Sequence, residues 1–267
     1  MIVTPSRRSF LAGAAACVTL GRPAFGQMVS NAGADGFRVL RAKPGAQGSS
    51  DSTAWGYEGL VPGPQLRVRQ GDEVKIRLAN ELPVATAIHW HGIRTSNALD
   101  GVPGLTQPAV AANGTFECRF TAADAGTYWY HAPSTTPGQI ERGLYGVLIV
   151  DEKAPVEVDR DVVLVFDGKQ GPAESIATTK NERLRIRLVN TSQARLMSFR
   201  FDRHAVRVMA IDGQPAEPFL AHEGHVTLSP GNRIDVFVDA TLAPGATASI
   251  FLDDAGRETE FARLVYD

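Results

Sequence analysis

Two imidazoles stand two residues apart in Ile88-His89-Trp90-His91-Gly92. On a β-strand, residues i and i+2 point to the same face, so both rings project together while Trp90 turns the other way. Two neutral nitrogen donors on one rigid element suit a single metal ion or two adjacent ones. Further along, Gly126-Thr127-Tyr128-Trp129-Tyr130-His131 reads as a second strand that ends in a histidine, with aromatic side chains able to wall a site off from water. The remaining candidates are weaker. Cys118 alternates with Phe116 and Phe120, which puts all three on one strand face and makes the cysteine a core residue rather than a ligand. His222 and His225 are spaced three apart ahead of a strand, where a helical zinc motif needs four, and read as a surface loop pair. Asp100 precedes Gly101 and reads, on its own, as a turn aspartate.

The elements that must hold these residues are strands. Leu66 and Val68 alternate with Arg67 and Arg69, and Val74, Ile76 and Leu78 with Lys75 and Arg77; Ile234, Val236 and Val238 repeat the pattern. Turn signals such as Val61-Pro62-Gly63-Pro64, Asn113-Gly114 and Ser229-Pro230-Gly231 punctuate them. Many short strands with regular turns predict an all-β sandwich architecture. Glu73-Val74-Lys75-Ile76-Arg77-Leu78-Ala79-Asn80 returns as Arg183-Leu184-Arg185-Ile186-Arg187-Leu188-Val189-Asn190, an offset of 110 residues from Ile76 to Ile186. That offset suits one sandwich per copy. Asp151–Asp161, with 7 charged residues among 11, reads as the linker. Two domains are therefore expected, 28–152 and 153–267, with the chemistry in the first.

Composition removes other classes. At 43% hydrophobic and 21% charged, the 267 residues are too apolar for disorder, and 2 Cys cannot form a disulfide scaffold. Lys+Arg at 27 against Asp+Glu at 29 gives −2, with no basic field to draw the chain to nucleic acid. Residues 1–26 read as a twin-arginine export leader. Ser6-Arg7-Arg8-Ser9-Phe10-Leu11 is followed by the apolar run Phe10–Leu20, and then by Ala24-Phe25-Gly26 at the cleavage position. That run is too short to span a bilayer, which takes about 20 residues, so the mature protein is expected in the periplasm without a membrane span. Cleavage leaves Cys118 as the single cysteine and therefore no internal disulfide.

Several segments together resemble the multicopper oxidases: Leu60–Val68 with Gly71-Asp72-Glu73-Val74, His89-Trp90-His91-Gly92, Asp100-Gly101-Val102-Pro103-Gly104-Leu105-Thr106-Gln107, and Gly126–His131 leading to Gly143–Val150. The resemblance implies two consecutive cupredoxin-like Greek-key sandwiches and copper as cofactor. In that family a type 1 copper takes electrons from phenols or metal ions and passes them to a trinuclear cluster that reduces dioxygen to water. Carried over by position, His89 is a type 2 copper ligand, His91 and His131 are type 3 ligands, and Asp100 is an acidic residue for proton delivery. His204 resembles a structural histidine of the second domain.

The pattern is also broken. Pro133 stands where the second histidine of the second pair belongs, and the sequence carries neither His-x-x-His-x-His nor the His-Cys-His that supplies a type 1 cysteine. By the 110-residue offset, Phe199 and Phe201 replace His89 and His91 in the second copy, and the segment from Phe166 to Arg183 looks too short for a whole sandwich. The expectation is a copper-binding relative whose site is incomplete in this chain, either a truncated product or one completed by a companion chain or by homo-oligomerisation, and inactive as an oxidase alone. Its copper is expected to leave as pH falls through roughly 6, where ordinary imidazoles protonate. The alternative is a non-catalytic cupredoxin scaffold that has lost copper. A copper nitrite reductase-like reading, suggested by Tyr130-His131-Ala132-Pro133, fails because Ala132 replaces the required cysteine.

Overall fold

The computed structural model describes residues 33–47, 53–133, 137–169, 171–254 and 256–267. The leader reading at 1–26 lies outside them. Residues 38–151 form two four-stranded sheets. One has the order β2 (Trp55–Tyr57), β1 (Arg38–Pro44), β4 (Glu73–Asn80), β6 (Thr115–Thr121). The other runs β3 (Leu66–Arg69), β8 (Tyr145–Asp151), β7 (Gly126–His131), β5 (His89–His91). Residues 160–266 form two five-stranded sheets. The first is β14 (Gln214–Leu220), β13 (Val206–Ile211), β16 (Arg233–Asp239), β11 (Arg183–Asn190), β9 (Arg160–Phe166). The second is β10 (Glu174–Thr178), β18 (Arg257–Tyr266), β17 (Thr247–Asp254), β12 (Met197–Phe201), β15 (His225–Leu228). The helices among the described residues are two 3-10 turns, Asn97–Leu99 and His222–Gly224.

The second sandwich is thus not cut short. The brief stretch between Phe166 and Arg183 still provides β10, which pairs parallel with β18 and completes that sheet. Phe199 and Phe201 are buried in its core with Leu184, Ile186 and Leu188.

The sequence repeat has a structural echo. β4 pairs parallel with β1 and antiparallel with β6, and β11 pairs the same way with β9 and β16. The asparagine that ends each copy is buried and does the same work twice. Asn80 donates through Nδ2 to the Val84 and Val110 carbonyls and accepts from the Leu82 amide. Asn190 donates to the Arg195 and Leu228 carbonyls and accepts from the Ser192 amide. Each side-chain amide satisfies backbone groups that the strand end would otherwise leave unpaired in the interior.

A third apolar cluster joins the two sandwiches. Trp129, Tyr145, Val147 and Ile149 from β7 and β8 meet Val163 of β9 and Val189 of β11. Alternation along β7 sends Tyr128 and Tyr130 into the first core and Trp129 into this junction, so every residue of β7 is buried. The junction also explains why period two misplaces two arginines. Strand alternation alone would leave Arg185 and Arg187 in solvent, yet that face of β11 is covered. Arg187 is fully buried and bonds Asp161, Asp235 and the Thr127 hydroxyl; Arg185 bonds Asp235 and Glu152. The charges of the 151–161 segment are therefore not simply solvated, because Arg67 holds Asp151 and Asp161 together at 2.7 Å each. Breaking one partner out of such a buried set costs roughly 3–5 kcal/mol.

Candidate metal centre

The pairing of β5 with β7 sets His89 opposite His131, Trp90 opposite Tyr130 and His91 opposite Trp129. Because alternate side chains share a face, the three histidines and Trp129 all point to the junction side, while Trp90 packs into the first core against Phe120 and Tyr130. The imidazoles form a near-regular triangle with ring centroids 5.1, 5.5 and 5.7 Å apart, and one nitrogen of each lies within 4.8 Å of the others. This is the one such group of three among the described residues. Trp129 stacks on His91 at 4.8 Å and on His131 at 4.0 Å, flanking both rings with apolar surface. The aromatic wall read from the sequence is therefore Trp129 alone, since Tyr128 and Tyr130 face the first core.

Outer hydrogen bonds fix which nitrogens face inward. His131 Nδ1 donates to the Ala132 carbonyl at 2.7 Å, which puts its lone pair on Nε2. His89 Nδ1 donates to the Asp100 carbonyl at 2.8 Å, with the Asp100 carboxylate 3.2 Å away, which frees its Nε2 likewise. His91 Nδ1 lies 3.3 Å from His131 Nε2. Asp100 thus meets the site through the outer nitrogen of His89 and does not line the cavity. Gly101 allows this approach, since a Cβ there would overlap the Ile88 carbonyl.

Burial keeps two rings neutral. It draws His91 down to about 4, helped by the nearby Arg233 charge, and His131 down to about 3 against the Ala132 bond that favours its protonated form. Neutral imidazole is the form that binds metal. The rings open on a cavity of about 300 Å³ whose first-sandwich wall includes Val102 and Pro133. Ser192, Gln193, Pro230 and Gly231 close it from the second sandwich. Sequence reasoning missed these four, because they carry no donor signature and arrive only through the packing of one sandwich on the other.

The other candidates fall outside the site. Cys118 is fully buried in the first core, where burial pushes its thiol up to about 11. His204 is buried between the Asp202 carbonyl and the Tyr266 hydroxyl, 2.9 and 2.5 Å away, a structural arrangement. His222 is exposed on its 3-10 turn and His225 is half-buried at the start of β15. Three converging imidazoles with room beside them fit a copper or zinc ion, and divalent copper has the higher intrinsic affinity for such donors.

Comparison with known proteins agrees with this chemistry. Two family models, both described as multicopper oxidase, match residues 40–155 and 127–250. Laccase-1 of Botryotinia fuckeliana is 31% identical over 226 residues, 71% of this chain and 40% of that protein. A copper resistance protein A homolog from Pseudomonas syringae pv. tomato is 40% identical over 134 residues, 49% of this chain and 22% of that protein. The crystal structure of Lac15 from a marine microbial metagenome superposes with a TM-score of 0.74 at 32% identity, covering 86% of this chain and 66% of that one. The chain therefore spans less than half the length of both curated relatives.

Proposed function

Because this chain belongs to the multicopper oxidase family, whose cofactor is copper, we propose that it is an exported copper-binding protein in which His89, His91 and His131 hold part of a copper centre. The observation that carries this reading is the convergence of three imidazoles within 4.8 Å, two of them with their outer nitrogens tied to carbonyl oxygens. Bound copper would supply one-electron redox chemistry and reactivity toward dioxygen. The protein's own share is positioning. Asp100 orients His89 and, about one-third exposed, links its outer nitrogen to solvent, the route by which protons would come. Trp129 keeps water from the faces of His91 and His131. The reaction proposed is the family's oxidation of phenols or metal ions coupled to reduction of dioxygen to water.

This chain contributes three imidazoles to that reaction, and further histidines, from a companion chain, a second copy or another part of a longer protein, contribute the rest. Two features support this. Pro133, buried beside His131, offers no donor where a fourth ring would stand. Leu105 and Leu196, 78% and 63% exposed, are large apolar side chains close in sequence to Val102 and Ser192 of the cavity wall. The same proline favours the second reading, a non-catalytic scaffold without copper. The two-arginine leader supports periplasmic export, and among the described residues no helix is long and apolar enough to cross a membrane.

An oxygen electrode with a phenolic substrate tests the proposal. The isolated chain should give background uptake, and Pro133→His should raise copper content while leaving uptake at background. Adding a partner that carries His-Cys-His should start uptake, and His131→Ala should abolish it. Sustained uptake by the isolated wild type, lost in His89→Ala, would contradict the need for a partner.

A further inference from the structure

The second sandwich touches the metal centre through a buried guanidinium. Arg233 opens β16 and is almost wholly enclosed. All three of its side-chain nitrogens are spent on backbone carbonyls. Nε donates to Thr127 of β7 at 3.2 Å, one terminal nitrogen to Gly231 at 3.0 Å, and the other to Asp212 at 2.9 Å. The Asp212 carboxylate, 3.1 Å away, balances the charge and also accepts from the Arg233 amide, and the guanidinium lies over the Tyr128 ring. One side chain therefore bonds a strand of the first sandwich, a turn of the second and the loop that walls the cavity.

Two glycines show how close this brings it to His91. A Cβ at Gly92, the residue after His91, would sit 2.3 Å from a guanidinium nitrogen, so Arg233 fills the space that a side chain there would need. A Cβ at Gly231 would meet His91 Cε1 at 2.9 Å and Nε2 at 3.3 Å. The Gly231 backbone thus abuts the Cε1–Nε2 edge of His91, while Trp129 covers a face of the ring. What remains is Nδ1, turned to His131.

We propose that Arg233 is a positioning residue for the metal centre: by holding the Gly231 carbonyl it seats the Pro230–Gly231 turn against one edge of His91 and selects Nδ1 as the nitrogen that ring offers. This rests on the reading of His91 as a copper donor, but the orientation it describes exists without metal. His131 donates its Nδ1 proton to Ala132, so its Nε2 accepts, and in the metal-free protein His91 donates to it from Nδ1. Lysine cannot replace the arginine, because a single ammonium cannot reproduce the fork that spans three carbonyls.

The test is a long-range proton–nitrogen correlation on metal-free, 15N-histidine-labelled protein, read beside a copper(II) competition titration. The wild type should show His91 protonated at Nδ1 in one form. Copper at Nδ1 would displace the proton that Nδ1 donates to His131, so affinity follows the ring's orientation. Arg233→Lys and Arg233→Met should free the turn and let the ring rotate, so that Nδ1 leaves His131 and the Nε2-protonated form mixes in. Copper(II) binding should then weaken about tenfold, the low end for loss of a group behind a ligand. Arg187→Met removes a buried guanidinium that bonds the same Thr127 yet touches neither Gly231 nor Gly92, and it should leave His91 as in the wild type. If the Arg233 variants do not fold, Gly231→Ala, whose methyl presses on His91, should reproduce their histidine spectrum. An unchanged His91 in the folded Arg233 variants, or the same change in Arg187→Met, would overturn the proposal. A His91 switch in a protein that binds no copper would uphold the positioning role and sink the copper reading instead.

Discussion

His91 and His131 set the acid response of the site. Both rings are held well below the ordinary 6.5, to about 4 and about 3, chiefly by burial. The expectation that copper would leave near pH 6 treated them as ordinary imidazoles. Their burial keeps them deprotonated, and so available to metal, well below that. The same shift costs the metal-free fold stability in acid. Between pH 6.5 and about 4 the unfolded chain takes up protons that the folded chain refuses, so stability is full above 6.5 and falls as pH drops through that window. Urea denaturation of the metal-free protein should show a loss of roughly 1–2 kcal/mol per ring from pH 7 to pH 5, and a smaller loss in His91→Phe. Equal pH slopes for the two proteins would count against a neutral buried His91. At Cys118 the thiol is protonated and packed in the first core, on the opposite side of β5 from the histidines' face, so Cys118→Ala should cost on the order of 1 kcal/mol in denaturant and leave copper content unchanged. An intense blue copper band abolished by that substitution would contradict a core role.

Strands decide how much of this was legible. The i, i+2 spacing of His89 and His91 put both on one face because a strand permits nothing else, and β5 bears that out. His131 joined them only through pairing of β5 with β7, a contact that spacing cannot reveal and that family resemblance supplied. Alternation failed where a strand has two covered faces. Arg187 reads as a solvent-facing residue until the first sandwich lies over it, and Tyr128 and Tyr130 read as site walls until β7 sends them to the core. The repeat was legible as a repeat, but the task of its last residue was not. Asn190→Ala should strand the Arg195 and Leu228 carbonyls and the Ser192 amide in the interior, at a cost of about 2–3 kcal/mol in thermal or urea unfolding. A change under a few tenths of a kcal/mol would mean that water takes over those bonds.

Across the whole molecule, the junction between the sandwiches is where stability and chemistry meet. The apolar cluster around Trp129 and Val163, the Arg187–Asp235–Asp161 network and the Arg233 clamp all lie on the face of β7 that also carries His131. A metal centre built there takes rings from one sandwich and walls from the other, which is why its second half was invisible in the motifs. The central claim is that His89, His91 and His131 together bind copper. Its most direct test is metal analysis of the purified chain after copper loading and exhaustive dialysis, with His89→Ala/His91→Ala as the comparison. The wild type should retain about one copper per chain and the double variant close to none; equal copper in both, or none in either, would contradict the account.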